Sequence, residues 1–117
     1  MGPSQIQQLT DLLLKFRSDR SWEQFHNPKD QALSLSLEVA ELLEHMQWKN
    51  GQELLDHLQT VKGEVSDELA DVLGWVLLIA HDLGVDLDAA VRKKVVDNER
   101  KYPVDKAHGK ATKYDKL

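Results

Sequence analysis

The residues of this chain best placed to do chemistry are two acidic pairs, Glu38 with Glu41 and, about thirty residues on, Glu68 with Asp71. Each pair is spaced i,i+3 inside an otherwise apolar run. At ~100° per residue that spacing puts both carboxylates of a pair on one face of a helix. On the same strip as Glu38 and Glu41 fall Gln31, Ser34 and His45, with leucines, Val39, Ala40 and Met46 on the other faces. The strip of Glu68 and Asp71 continues through Glu64, Trp75 and Asp82, hemmed in by Val65, Leu69, Val72, Leu73, Val76 and Leu77. A single acidic pair of this kind is ordinarily solvated surface. Two of them on mostly apolar helices, packed together, would crowd four carboxylates into a partly dry space. Such a cluster must take up protons, lose stability or hold a cation. An all-oxygen donor set suits Mg²⁺, with Mn²⁺ as a substitute, and Mg²⁺ commonly bridges to substrate phosphates.

The remaining composition bounds the setting. A chain of 117 residues with 41% hydrophobic and 30% charged residues is expected to form one soluble domain with a modest core. A net charge of −5 gives no general attraction to nucleic acid or to an anionic membrane. The absence of cysteine excludes disulfides and thiolate chemistry and accords with a reducing, cytoplasmic setting. No run of ~20 apolar residues and no signal-peptide pattern is visible.

The elements that must position the acids read as all-α. Ser4 and Gln7 resemble a capping box, and Ile6, Leu9, Leu13 and Phe16 recur at helical spacing to about Asp19. A loop from Arg20 to Asp30 carries Trp22, Phe25 and His26 and is turned by Asn27-Pro28. Its aromatics plug a core edge or form a wall for a flat ligand, since bases stack on aromatic faces. For His26, a surface role, a hydrogen bond to a base and a phosphate contact all fit. Asp30 is the expected N-cap of the second helix, which runs to about Trp48 and stops at Asn50-Gly51. Gln52 to Thr60 reads as a short helix, and a long one from about Gly63 to Leu83 carries the second acidic strip and ends at Gly84. Asp86 caps a fourth main helix, closed by Pro103. The domain is thus expected over 1–103, with 104–117 an aperiodic, charged tail in which Lys110, Lys113 and Tyr114 could fold over an anion. The expected architecture is a four-helix bundle. Its second and third main helices are apolar around most of their circumference, which points to completion by a second copy of the chain.

Nucleotide-binding glycine loops, nucleophile elbows and H-E-x-x-H zinc motifs are absent, and the five histidines lack ligand spacing. His45 and His81 read as buried or rim histidines. The ordered set Trp22-x-x-Phe25-His26-x-Pro28, Glu38-Val39-x-Glu41-Leu42, Gln47-Trp48-Lys49, Glu68-Leu69-x-Asp71-Val72-Leu73 and Lys94-x-x-x-Asn98 with Tyr102-Pro103 is similar to the MazG-like all-α nucleoside triphosphate pyrophosphohydrolases, in their dCTP pyrophosphatase branch. The resemblance runs from about Phe16 to Pro103, with a fainter echo at Lys113-Tyr114.

That resemblance implies hydrolysis of a deoxynucleoside triphosphate to its monophosphate and pyrophosphate. It implies Mg²⁺ held by Glu38, Glu41, Glu68 and Asp71, and a base pocket walled by Trp22 and Trp48 with His26 nearby. Lys94 and Asn98 would face phosphate and sugar, with Tyr102 just beyond; on spacing alone those residues are a solvated helix face. The assembly implied is a homodimer or homotetramer. Ser36 and Ala40 stand where that branch often has glycine, so the base chosen can be dCTP or a modified relative. The rivals are a broader house-cleaning pyrophosphatase and a non-catalytic helical module holding a structural ion.

Overall fold

The structure is a computed structural model and describes residues 3–117. Every regular element among them is helical. Helix α1 (Gln5–Asp19) starts at Ser4, whose hydroxyl accepts the Gln7 N–H at 3.1 Å. A 3₁₀ turn (Trp22–Phe25) follows, entered through Ser21 in a left-handed conformation at φ 52°.

Helix α2 (Pro28–Glu44) begins earlier than the sequence predicts. Its cap is Asn27, not Asp30: the Asn27 side chain accepts the Asp30 N–H at 2.9 Å. Pro28 takes the first helical position, where its missing N–H costs nothing and its fixed φ suits the helix. Asp30 sits in the first turn instead, where its charge meets the positive end of the helix dipole. The helix also ends sooner. Residues from His45 onward form a turn, and Trp48 adopts a left-handed φ of 69°.

Helix α3 (Gly51–Thr60) leads into α4 (Lys62–Leu83), which Gly84 closes at φ 70° with its N–H donating to the last turn. A side chain at that φ would be strained, which is why glycine serves there. These elements form one compact unit, ending at Gly84; a second comprises Val85–Leu117.

Within the second unit, Asp86 caps α5 (Leu87–Lys101) by accepting the Ala89 N–H at 3.1 Å. The segment read as an aperiodic tail carries a short helix α6 (Val104–Ala107) and a 3₁₀ turn (Tyr114–Lys116). Tyr114 folds back on Tyr102, ring centroids 6.1 Å apart, and Lys101 lies 4.9 Å from the Tyr114 ring. An aromatic anchor and a cation over its face order a stretch too polar to show periodicity.

In the first unit α2 packs mainly on α4, and α1 crosses α4 as well. The buried apolar side chains among the described residues are Leu77, Leu78 and Ala80, all on α4. A polar network joins the three helices. The Arg17 guanidinium donates to both Asp82 oxygens at 2.8 and 2.9 Å, and Gln31, itself 1% exposed, donates to Asp82 at 2.8 Å. Hydrogen bonding from Arg17, then from Gln31, holds the Asp82 carboxyl below its ordinary pKa, against the opposing effect of burial.

A carboxyl whose pKa is depressed by folding lends stability that is complete above its unfolded value near 3.9 and is lost as pH falls through the lower folded value. Asp82→Asn therefore should lower the unfolding free energy at pH 7 by about 2–4 kcal/mol, because it strands the Arg17 charge. The deficit should shrink below pH 4. Urea unfolding at pH 7 and pH 3 measures both, and equal stability of variant and parent at pH 7 would contradict the network's role.

Candidate active site

The i,i+3 spacing on α2 and α4, together with the packing of those helices, brings Glu38 beside Glu41 of its own helix and Asp71 of the other. Burial pushes the Glu38 carboxyl above its ordinary pKa, and the charges of Asp71 and Glu41 push it further. One Glu38 oxygen, Oε2, is buried without any hydrogen-bond partner. An unpaired buried carboxylate oxygen facing like charges is a costly arrangement without a proton or cation to share.

Glu68, one turn before Asp71, presents a second buried oxygen. Its Oε2 lies 2.5 Å from His45 Nε2, an ion-pair contact without hydrogen-bond geometry. Both side chains are about four-fifths buried. His45 reads from the sequence as a buried or rim histidine, and its position on the Glu38–Glu41 strip was the signal for its place here.

The unpartnered buried oxygen of Glu38 and an all-oxygen donor set around it fit a hard divalent cation. As the side chains stand, no group of three or more acidic or histidine side chains among the described residues closes into a ligand set. The acids are gathered but not preformed into a cage.

Beside the acids opens a cleft of about 240 Å³. Glu38 and Asp71 stand in its wall with Phe16, Trp22, His26 and Trp75. Phe16 and Trp22 meet edge to face at 5.7 Å, as do His26 and Trp75 at 5.1 Å. Gly74 forms part of the wall, and a Cβ there would rest 3.7 Å from Leu13, so its lack of a side chain leaves room in the cleft. Burial lowers the His26 pKa, and the nearby Arg17 charge adds to the effect, so the imidazole is neutral at pH 7.

Of the residues singled out from the sequence, Trp22, His26, Glu38 and Asp71 meet at this cleft. Glu41 and Glu68 adjoin the acids without lining it. Trp48 does not reach it; the ring is 88% exposed. Lys94, Asn98 and Tyr102 belong to the second unit, where Lys94 and Asn98 are exposed on α5 and the Tyr102 N–H donates to the Asn98 carbonyl at 2.8 Å. Trp75 and Phe16 were read as strip and core residues. Nothing in their spacing showed that they face a cavity.

Comparison with known proteins gives this arrangement its kin. The family model described as MazG-like matches residues 33–117, which include both acidic pairs. The chain belongs to the MazG-like family. It is similar to dCTP pyrophosphatase 1 of Bos taurus, 36% identical over 114 residues, with 96% of this chain and 68% of that protein covered. For the Rattus norvegicus protein of the same name the identity is 37%, covering 96% and 67%. Among solved structures, a pyrophosphatase from Archaeoglobus fulgidus superposes with a TM-score of 0.83 at 41% identity, covering 88% of this chain and 96% of that one. The family match starts at residue 33, so the loop that carries Trp22 and His26 precedes it.

The strain at Glu38 in this MazG-like chain has a measurable consequence. Its raised pKa means that ionisation at pH 7 costs folding free energy. Glu38→Gln in metal-free buffer at pH 7 should therefore gain stability, on the order of 1 kcal/mol, the common size of a point-mutant effect. A thermal melt in chelator that shows the variant less stable than its parent would contradict the crowding.

Proposed function

We propose that this chain is a Mg²⁺-dependent nucleoside triphosphate pyrophosphohydrolase that converts dCTP, or a related modified deoxynucleotide, to the monophosphate and pyrophosphate. The observation that carries the reading is the placement of Glu38 and Asp71 at the wall of a cleft that Phe16, Trp22, His26 and Trp75 also line, among aliphatic residues and Arg17. A nucleotide offers the matching features, a flat base for the rings and an anionic tail that needs cations to approach carboxylates. The kinship with proteins named dCTP pyrophosphatase and pyrophosphatase supports the same chemistry.

Glu38, Glu41, Glu68 and Asp71 would hold Mg²⁺, with Mn²⁺ able to replace it. When bound, the ion supplies charge neutralisation for the triphosphate and lowers the pKa of a water for attack at the α-phosphorus. The chain's own groups do the rest. Phe16, Trp22 and Trp75 wall the base and exclude water from it. Glu41 and its neighbour Glu44 are the candidates to accept the proton of the attacking water. Lys94 and Asn98, a turn apart on α5, present a cation and an amide suited to phosphate and sugar, and Tyr102 follows them.

A second copy completes the unit in this reading. Leu33, Leu37 and Leu43 on α2 and Leu69 and Leu73 on α4 are 47–66% exposed, more contiguous apolar surface than a lone chain in water favours. Trp48, exposed in its own chain, is then available to the cleft of a partner. The expected assembly is a homodimer or homotetramer, and sedimentation at micromolar concentration showing the 13.4 kDa monomer alone would remove this part of the proposal.

The direct test is product analysis with dCTP and Mg²⁺. Release of dCMP and pyrophosphate is expected, and dCDP with phosphate, or no turnover across a panel of triphosphates, would overturn the reading. Asp71→Asn should lower kcat roughly a thousandfold, the rate equivalent of ~4 kcal/mol of transition-state charge stabilisation. A panel of base-modified deoxynucleotides separates dCTP preference from broader house-cleaning.

A further inference from the structure

His45 closes α2 as its C-terminal cap, where the backbone is still helical (φ −67°, ψ −21°) and its N–H donates to the Leu42 and Leu43 carbonyls. Four positions after Glu41, it keeps to the face that carries the acids. Its side chain reaches α4, where Nε2 lies 2.5 Å from Glu68 Oε2 and both groups are about four-fifths buried. Two lone pairs at that separation would repel, so Nε2 carries a proton and sets a positive edge against the carboxylate.

Glu68 differs in this from the other acids of the site. Among the described residues, Glu38, Glu41 and Asp71 have no lysine, arginine or histidine within ion-pair distance. Glu38 is instead crowded by Asp71 and Glu41. A free glutamate side chain gives up rotamer freedom when it takes hold of an ion, and an anchored one has already given it up. The contact also divides the two oxygens of Glu68. Oε2 is buried against the imidazole, and Oε1 is the oxygen left to a cation. Carboxylates that ligate metals are commonly held by an outer partner in this way, and losing that partner weakens metal binding by about 10- to 100-fold.

We propose that His45 is a positioning residue, which holds Glu68 by Oε2 and leaves Oε1 as a preset donor to the Mg²⁺ bound by the four acids. This rests on the cation reading of the acidic site and adds to it the group that fixes one ligand before the ion arrives. His45 itself makes no bond to the ion, so the donor set stays all-oxygen.

Because the contact is made by Nε2, the far nitrogen of the ring, two amide variants test it as a pair. In His45→Gln the amide nitrogen extends about as far from the backbone as Nε2, whereas in His45→Asn it reaches only to the level of Nδ1. Both are uncharged and polar, so a purely structural need for a polar side chain at the helix end treats them alike. Mg²⁺ is titrated calorimetrically into the nucleotide-free full chain, and thermal melts in chelator check that each variant is folded. His45→Asn should weaken Mg²⁺ binding about tenfold, while His45→Gln should stay within about threefold of the native Kd.

Native-like binding by His45→Asn overturns the inference, and tighter binding does so too, since it makes His45 a competitor for Glu68. Equal losses in the two variants also overturn it, because they mark a structural role. Should His45→Asn fail to fold, His45→Leu replaces it as the variant without a reaching donor. If the native chain binds no Mg²⁺, the cation reading fails and the inference falls with it; native binding without a Gln–Asn difference sinks the inference alone.

Discussion

Like charges held close around one half-buried carboxyl, Glu38, are the constraint on which this protein depends. Glu38 cannot leave its neighbours: the i,i+3 spacing puts Glu41 beside it, and the α2–α4 packing adds Asp71 from across the interface. The result is a carboxyl with a raised pKa and an oxygen that no protein donor reaches. The packing of α2 on α4 sustains an arrangement that electrostatics alone would disperse.

The rest of the first unit acts to hold those helices in register. Arg17, Asp82 and Gln31 join α1, α2 and α4 through three hydrogen bonds in the range 2.8–2.9 Å. This is the opposite electrostatic solution from the acidic site. There the charges are matched, the Asp82 pKa is lowered and the network stabilises; at Glu38 they are unmatched and the pKa is raised. The two share one cleft, since both Arg17 and Glu38 line it.

How much of this was legible in the sequence follows from the range of the interactions. Spacing within one helix shows faces, so the acidic pairs, the Ser4 and Asp86 caps, the Gly84 stop and the all-α class were readable. What lies opposite a face is a different matter. Asp82 and Trp75 fell on the strip with Glu68 and Asp71, but nothing local could tell that one meets Arg17, sixty-five positions away, and the other meets His26. The N-cap of α2 was misplaced because Asp30 and Asn27 are both good caps. Pro28 decided between them, as it starts a helix more readily than it precedes one. Order in the segment after Pro103 escaped because a ring contact and a cation over Tyr114, not periodicity, support it.

The central claim is that the crowded acids are a cation site in the chain itself, before any nucleotide arrives. Calorimetric titration of Mg²⁺ into nucleotide-free protein tests it most directly. Saturable binding that Glu38→Gln weakens at least tenfold is the predicted result. Absence of binding at millimolar Mg²⁺, or binding unchanged by that substitution, would contradict it.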